Sequence, residues 1–213
     1  MLFRCTMIEI MPYTLADAAF LQSKQSGFII WQPDATYVIL GQSDTPETSL
    51  NRDAIIADKI MVMKRPSGGH TVLLSPNTLI ISVLDKSPDI SQTRSWFNQI
   101  SQNILIALKQ CGVVNAEIKG TSDIVINNRK ILGSSMYRSK DNVLWHGVLN
   151  VSEKPETIAR YLAHPITEPK YRQNRNHISF VTSLSEQGYS LNSDLFADSF
   201  GRITGRVCLS CKQ

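Results

Sequence analysis

The segment Lys64–Val72 holds two basic residues and a Gly-Gly pair whose types and spacing suit the binding of an anion. Gly68 and Gly69 let the backbone take positive φ and let a ligand approach the main chain without a Cβ in the way. Free N–H groups in such a turn form an anion-binding concavity, and Lys64 and Arg65 add positive charge beside it. A hairpin turn with two solvated cations fits the same residues, so this segment alone leaves both interpretations open.

Apolar runs flank the glycine segment, with Ile60–Met63 before it and Leu79–Val83 after it, and both runs predict strands. Farther along, Gly120–Ser135 predicts a strand, an Asn-Asn turn, a second strand and a segment of small residues. A third stretch, Trp145–Val151, predicts a strand that carries a His-Gly pair. The residues suited to chemistry therefore stand in turns and on strands that one sheet structure must bring together.

Together the three stretches resemble the lipoate-protein ligase family. Its glycine loop typically reads R-R-x-S-G-G-G-A-V, followed by a D-I or D-L strand, G-x-K, G-S-A and H-G-T-L, and the order and spacing agree across most of this chain. The resemblance implies the catalytic fold that lipoate ligases share with biotin ligases and octanoyltransferases. That fold is α+β, with a mixed, largely antiparallel sheet and packed helices, and the alternation of strand pairs with single helices predicts the same class.

The resemblance implies ATP-dependent activation of lipoate or octanoate to an acyl-AMP and transfer of the acyl group to a protein lysine. Lys130 matches the lysine of G-x-K, with Asn128 where the glycine usually stands, and is the predicted catalytic residue. Its compact charge would stabilise negative charge on the acyl and α-phosphate oxygens. Asp123 matches the strand aspartate that holds Mg²⁺. The alternatives are a solvated hairpin lysine and a carboxylate that forms a strand-edge turn.

Thirteen further residues match family positions that contact the acyl group or the nucleotide. Trp31 and Gly41 match an aromatic and a glycine of the acyl pocket, although Trp31 fits a core or hairpin aromatic equally well. His146 matches the H-G histidine, and a hydrogen-bonded strand histidine is its alternative. The full predicted ligand-binding set is Trp31, Gly41, Arg65, Ser67, Gly68, Gly69, His70, Thr71, Val72, Asn77, Ser122, Ser135 and His146.

Three departures from the family pattern bear on activity. The third loop glycine is His70 and the following alanine is Thr71, while Leu74-Ser75-Pro76 stands where a His-Asp pair is usual. The chain also stops near the end of the catalytic domain, so residues 1–213 are expected to form a single domain without the C-terminal accessory domain of many lipoate ligases. The resemblance therefore implies either a separate accessory subunit or weak activation of the acid.

The implied cofactors are ATP and Mg²⁺, and lipoic acid is the implied substrate. The implied acceptor is a lipoyl domain, either of a 2-oxoacid dehydrogenase acyltransferase subunit or of the glycine cleavage H protein. One alternative function is an ATP-independent octanoyl or lipoyl transferase, which forms a thioester on a cysteine. Residues 116–122 lack a cysteine and no Pro-Cys-Gly occurs, which favours the ligase. The other alternative is a non-catalytic relative that binds a lipoyl group.

Composition sets wider bounds on the class of protein. A chain of 213 residues with a formal charge of +4 fits one domain and has no dense basic run, so nucleic acid is not an indicated partner. No apolar run approaches membrane-spanning length and the start lacks a signal-peptide pattern, so the expected location is the cytoplasm. Four cysteines, including a Cys-x-x-Cys at the end, give no disulfide framework, and zinc binding is not expected.

Hydrophobic periodicity predicts the remaining elements. Helices are expected over residues 13–25, 91–111, 155–162 and 191–203, the last with Leu195, Phe196, Phe200 and Ile203 facing inward. The runs Phe28–Trp31 and Thr36–Leu40 predict a hairpin. The polar, basic segment Pro165–His177 predicts a mobile loop with few anchors, and Ile178–Leu184 predicts a short extended segment.

Overall fold

The computed structural model describes residues 7–86 and 92–209. It is a mixed α+β fold, as predicted, with its strands divided between two sheets. The larger sheet has six strands, and every neighbouring pair in it is antiparallel. Its strands, in spatial order, are β2 (Gly27–Trp31), β6 (Thr78–Lys86), β10 (Asn142–Asn150), β9 (Arg129–Arg138), β8 (Asp123–Ile126) and β7 (Ala116–Lys119).

The smaller sheet has four strands in the order β1 (Ile10–Pro12), β4 (Met61–Lys64), β3 (Tyr37–Leu40) and β5 (Val72–Leu74). Strand β4 runs parallel to both β1 and β3, whereas β5 is antiparallel to β3. Two short helices, α2 (Pro46–Ser49) and α3 (Arg52–Ala57), form the crossover that a parallel β3–β4 pair requires. The glycine segment leaves β4 and returns in β5, a strand that the sequence did not predict.

The main core lies between the six-stranded sheet and two helices, α4 (Thr93–Gln110) and α7 (Ser193–Thr204). The apolar periodicity expected over 91–111 is confirmed in α4, where Phe97, Ile100, Ile104 and Leu108 are buried and Leu105 is partly buried. The other helices are α1 (Ala16–Leu21), α5 (Pro155–Tyr161) and α6 (His177–Phe180). Among the described residues, no helix is both long and apolar enough to cross a lipid bilayer.

Three local predictions are wrong. The runs predicted as a hairpin lie in different sheets, because β2 pairs with β6 and β3 pairs with β4 and β5. Their pairing partners are distant in sequence, so the short Pro33-Asp34 connection links two sheets. Leu195 is 48% exposed on the outer side of α7. The segment Ile178–Leu184 begins in helix α6 and contributes one isolated bridge, at Val181.

Candidate active site

A cavity of about 820 Å³ is lined by residues of both sheets and by the segment that follows α5. Ten of the fifteen residues predicted for catalysis, ligand or metal binding line it: Arg65, Gly69, His70, Thr71, Val72, Ser122, Asp123, Lys130, Ser135 and His146. Five do not: Trp31, Gly41, Ser67, Gly68 and Asn77. Residues from three stretches that are distant in the sequence thus line one cavity, although five of the predicted residues do not.

The glycine loop is held from inside by Arg65, which is only 4% exposed. Its Nη2 atom donates to the carbonyls of Gly68 and His70, both over 2.8 Å, and its Nη1 donates to the carbonyl of Ile39 over 3.1 Å. Its Nε donates to Ser67 Oγ over 2.9 Å. Burial lowers the pKa of Arg65. All three guanidinium nitrogens are thus committed to the protein, and Arg65 shapes the loop.

Gly41 is required by the same loop, for a reason that the sequence did not supply. A Cβ at this position would lie 1.8 Å from the carbonyl oxygen of Gly69, which itself has φ of 78°. Beside it, Asp44 Oδ2 accepts hydrogen bonds from the Thr71 amide over 2.6 Å and from Thr71 Oγ1 over 2.7 Å. Thr71, one of the departures from the family pattern, therefore anchors the loop through its hydroxyl, and Asp44 is a cavity residue that sequence reasoning missed.

Lys130 and Asp123 form an ion pair on the cavity wall, with 2.8 Å between Nζ and Oδ1. The Lys130 side chain remains 28% exposed. Gly133 makes room for it, because a Cβ there would lie 2.6 Å from Nζ. Tyr171 donates to the other carboxylate oxygen of Asp123 over 2.7 Å. The tight Asn127-Asn128 turn between β8 and β9, with positive φ at both residues, brings Lys130 back beside Asp123.

The small-residue segment of β9 joins this cluster to the glycine loop. Ser135 Oγ donates to the Gly68 carbonyl over 2.6 Å, and Ser134 Oγ donates to Ser122 Oγ over 2.8 Å. The bond from Ser135 joins segments that are far apart in the sequence, and the bond from Ser134 reaches the segment just before β8. The cavity wall is therefore continuous from the glycine loop to the strand that carries Lys130.

His146 lies at the centre of a buried hydrogen-bond chain. Its Nε2 is 2.7 Å from Ser67 Oγ, and its Nδ1 is 2.9 Å from Asp17 Oδ2. Tyr13 donates to Asp17 Oδ1 over 2.5 Å. Sequence reasoning missed Tyr13 and Asp17, although a single aspartate within the apolar run of helix α1 was a signal. Ser67 is thus part of this chain of hydrogen bonds, and it lines a smaller cavity of about 190 Å³.

The segment Pro165–His177 covers part of the cavity and is better anchored than its composition predicts. Arg172 is 5% exposed, lies 3.4 Å from Glu168 Oε2 and places its guanidinium 4.6 Å from the ring centre of Phe180. Thr167 Oγ1 is 3.2 Å from His70 Nε2. The expectation that few contacts hold this segment is wrong, because Arg172 and Tyr171 point inward and serve as anchors.

His177 is a further cavity residue that the sequence did not single out. Burial is the largest cause that lowers its pKa, to about 4, and the charges of Arg172, His164 and Lys130 act in the same direction. His177 is therefore a neutral imidazole at pH 7, able to donate one hydrogen and accept another.

Two predicted site residues lie outside the cavity for clear reasons. Trp31 packs into the apolar clusters of the core, among residues such as Ile29 and Leu84, which agrees with its alternative as a core aromatic. Asn77 Nδ2 donates to Glu153 Oε2 over 3.1 Å in the turn that precedes β6. That contact braces the chain after β10.

A metal site built by protein alone is absent from the described residues, which contain no group of three or more His, Cys, Asp or Glu side chains placed to hold an ion. Of the cysteines, Cys111 packs against the main core, where burial raises its pKa, and Cys208 is exposed. Neither lines the cavity. Cys5 and Cys211 lie outside the described residues.

Residues 11–202 match the family described as the Lipoyl protein ligase A/B catalytic domain. The chain is 26% identical over 170 residues to Lipoate-protein ligase A of Psychrobacter cryohalolentis, an alignment that covers 79% of this chain and 48% of that protein. It is 30% identical over 122 residues to Lipoate-protein ligase LplJ of Bacillus subtilis, covering 57% of this chain and 35% of the relative. The chain thus spans half or less of the length of these relatives.

Solved structures share the fold. A bi-partite lipoate protein ligase from Thermoplasma acidophilum, described with its E2 lipoyl domain, superposes with a TM-score of 0.73 at 22% identity, covering 89% of this chain and 75% of that one. A lipoate-protein ligase A bound with ATP gives 0.71 at 19% identity, covering 88% and 74%. At these identities the likeness concerns the arrangement of strands and helices.

Proposed function

This chain belongs to the Lipoyl protein ligase A/B catalytic domain family, and from that premise we propose that it activates lipoate or octanoate with ATP. The product is an acyl-AMP, with pyrophosphate as the leaving group. The acyl group then passes to the amine of a lysine on a lipoyl acceptor domain, and AMP is released. The relatives named above as lipoate-protein ligases support this choice of substrate class.

The observation that carries the proposal is the position of Lys130. Its ammonium lies on the wall of the same cavity as the glycine loop and forms an ion pair with Asp123 at 2.8 Å. When the acid attacks the α-phosphate, negative charge builds on oxygens of both groups, and a fixed cation near them lowers the barrier. Because the lysine is a compact point charge on a partly exposed stem, it can turn from Asp123 toward those oxygens.

The two sides of the cavity suit the two parts of an acyl-AMP. Apolar side chains of both sheets, including Ile39, Leu74, Ile80 and Val148, line one part and suit an aliphatic chain. The glycine loop, Lys130, Ser122 and Ser135 supply polar contacts elsewhere on the wall. The neutral imidazole of His177 adds a polar group that does not repel the nearby cations.

Asp123 is the cavity carboxylate that would hold Mg²⁺. A single carboxylate suffices, since Mg²⁺ commonly takes the rest of its ligands from substrate phosphates and water. The contacts of Asp123 with Lys130 and Tyr171 are hydrogen bonds that an incoming ligand can replace. A bound Mg²⁺ would neutralise phosphate charge during displacement of pyrophosphate.

A thioester-forming transferase is the competing function, and the location of the cysteines opposes it. Within residues 7–86 and 92–209, neither cysteine lines the cavity, and Cys111 is a partly buried thiol whose pKa is raised by burial. A thiolate nucleophile requires the opposite environment, partly exposed with a lowered pKa. We therefore favour acyl-adenylate chemistry over a cysteine thioester.

We propose a lipoyl domain as the partner, of a 2-oxoacid dehydrogenase acyltransferase subunit or of the glycine cleavage H protein. The neighbouring structure from Thermoplasma acidophilum, described as bi-partite and together with an E2 lipoyl domain, is the support for this proposal. Its bi-partite character also motivates a separate accessory subunit for the adenylation step.

The test is an adenylation assay with purified protein, ATP, Mg²⁺ and either lipoate or octanoate, monitored by mass spectrometry. We expect a tightly bound acyl-AMP, and acylation of one lysine when a lipoyl domain is added. A variant in which all four cysteines are replaced by serine should retain this activity. An acyl adduct on Cys111 or Cys208, formed without ATP, would contradict the proposal and assign the protein to the transferases.

A further inference from the structure

The hydrogen-bond chain behind the glycine loop starts on helix α1, in residues to which the ligase mechanism gives no part. Asp17 is 1% exposed, so its carboxylate interacts with protein groups instead of water. It accepts one hydrogen bond from Tyr13 and lies 2.9 Å from Nδ1 of His146. Burial, and then the charge of Asp17, raise the pKa of Tyr13, so the phenol stays protonated and remains a donor. A buried carboxylate held in this way fixes the orientation of the histidine ring.

The number of hydrogens available sets the direction of the whole chain. Arg65 Nε always carries a hydrogen, so Ser67 Oγ must accept from it at 2.9 Å. Ser67 Oγ has a second lone pair as well as one hydrogen, so toward its other neighbour, His146 Nε2 at 2.7 Å, it can either accept or donate. The choice is made at the other end of the ring: the Asp17 carboxylate can only accept, so Nδ1 of His146 donates to it, and in the neutral imidazole Nε2 is then the acceptor for the Ser67 hydroxyl.

We propose that Asp17 is a positioning residue: by selecting the Nδ1–H form of His146, it fixes the Ser67 hydroxyl and, through Arg65, the conformation of the glycine loop that receives the acyl-adenylate. The identity of that ligand rests on the function proposed above. The relay itself, defined as Tyr13, Asp17, His146 and Ser67, rests on the hydrogen bonds alone.

The link from the relay to the loop passes through one guanidinium. Arg65 bonds Ser67 with Nε while its Nη2 bonds the carbonyls of Gly68 and His70. With Nε2 protonated, the Ser67 hydroxyl would lose the acceptor of its own hydrogen, and its reorientation would disturb the bond from Nε that holds the guanidinium against both carbonyls. Gly69 lies between these two carbonyl-bearing residues at positive φ, and it has no side chain whose packing could hold the loop in this conformation. An error at Asp17 is therefore expected to appear as disorder at Gly69.

The matched pair of variants is Asp17→Asn and Asp58→Asn. The amide of asparagine can donate to Nδ1 and thereby select the opposite imidazole tautomer, while the side chain keeps its size. Asp58 also accepts from a tyrosine and a basic residue, Tyr161 and Arg160, but lies outside the cavity. The Asp58→Asn control thus removes one aspartate without changing any residue of the relay.

The experiment combines imidazole nitrogen NMR on ¹⁵N-histidine protein with binding of a sulfamoyl analogue of octanoyl adenylate. In the wild type we expect His146 as the Nδ1–H tautomer. Asp17→Asn should shift it to Nε2–H, weaken binding of the analogue about 10- to 100-fold and speed amide hydrogen exchange at Gly69. Asp58→Asn should change none of these. If Asp17→Asn does not fold, Tyr13→Phe decides, with the tautomer kept and binding weakened about threefold.

Several results would overturn the proposal. These are an Nε2–H tautomer in the wild type, an unchanged affinity and unchanged Gly69 exchange in Asp17→Asn, or an acyl adduct on Ser67, which would make that serine a nucleophile. If the wild type fails to bind the analogue, the proposed function is wrong. In that case the relay is still tested by the His146 tautomer and by amide hydrogen exchange at Gly69. Asp17→Asn must change both quantities, and Asp58→Asn must change neither.

Discussion

Two of the cations that line the cavity, Arg65 and Lys130, are held by the protein in opposite ways. Arg65 is buried and gives all of its guanidinium nitrogens to protein acceptors in the glycine loop and β3. Lys130 is partly exposed and forms an ion pair with Asp123. The difference teaches that a motif match between charged residues does not by itself distinguish a residue that builds a site from one that reacts in it.

The physical reason lies in the two side chains. A planar guanidinium with five fixed donors can satisfy several carbonyls at once, which suits it to hold a loop. An ammonium on a flexible stem can change partners at little cost. We therefore expect variants of Arg65 to act mainly on stability, and variants of Lys130 to act mainly on chemistry.

The largest expected effect is on the chemistry of Lys130→Ala. It should lower the rate of acyl-AMP formation about 10²- to 10³-fold, because the cation near the developing charge is gone. Its unfolding free energy should change by less than about 1 kcal/mol, as for other partly exposed ion pairs. Single-turnover adenylation and urea unfolding measure the two quantities. Lys119→Ala, which removes the exposed pair with Glu117, is the matched control. A near-normal adenylation rate would show that Lys130 is not the activating residue.

The complementary variant, Arg65→Met, should lower the unfolding free energy by about 3 kcal/mol. It leaves the carbonyls of Ile39 and His70 without this donor, whereas the Gly68 carbonyl keeps its bond from Ser135 Oγ, and each unpaired group costs about 1–3 kcal/mol before the loop relaxes. Urea unfolding gives the measurement, and Arg52→Met, which breaks an exposed pair with Glu47, should cost far less. Equal losses for the two arginines would contradict the division of roles.

A third prediction concerns the pH dependence of stability. His177, which lies near Lys130, changes its charge in the accessible pH range, whereas Arg65 does not. The pKa of His177 is about 4 in the folded protein and 6.5 in the unfolded chain. Between these values the unfolded chain binds the proton and the folded protein does not, so stability falls as the pH drops from 6.5 to 4. Allowing for partial exposure, the loss is about 2 kcal/mol.

The measurement is the difference in unfolding free energy between the wild type and His177→Gln as a function of pH. Subtracting the two curves removes the titration of carboxylates in the same range. The difference should be constant above pH 6.5 and should change steadily toward pH 4. A flat difference across the whole range would mean that His177 is not held neutral by burial.

The smallest expected effect tests the segment Pro165–His177. Like the glycine loop it holds a buried arginine, and like Lys130 it lines the cavity. Tyr171→Phe removes one hydrogen bond to Asp123, so trypsin cleavage around Arg172 should be about tenfold faster. Tyr37→Phe removes a similar bond to Asp34 on the surface and should leave that cleavage unchanged. Equal cleavage in both variants would mean that Tyr171 does not anchor the segment. An acyl-AMP analogue should slow cleavage in the wild type, since the segment lines the cavity.

The sequence predicts best where the structure depends on neighbours in the chain. The periodicity of α4 and the Asn127-Asn128 turn between two strands follow from local spacing, and the structure agrees. The glycine loop is also predicted from the sequence, because two adjacent glycines after a basic pair are a local signal.

Prediction failed where contacts between distant segments decide. The runs around Trp31 and Tyr37 have equal strand propensity, and only the partners β6 and β4 place them in different sheets. The relay at Asp17 joins α1 to β10, and the interaction of Asp44 with Thr71 spans a crossover. Spacing within a segment carries no information about such pairs. Composition likewise did not indicate that Arg172 points inward.

Strand β6 has a consequence for the order in which the molecule assembles. It pairs with β2 on one side and with β10 on the other, so Val83 faces both Phe28 and Trp145 across the sheet. Contacts of such long sequence separation form slowly, because the intervening chain must be closed into loops first. During synthesis, the cavity cannot be completed until β10, with His146, has left the ribosome. Ligand binding would then first occur on a chain whose large sheet is already in place.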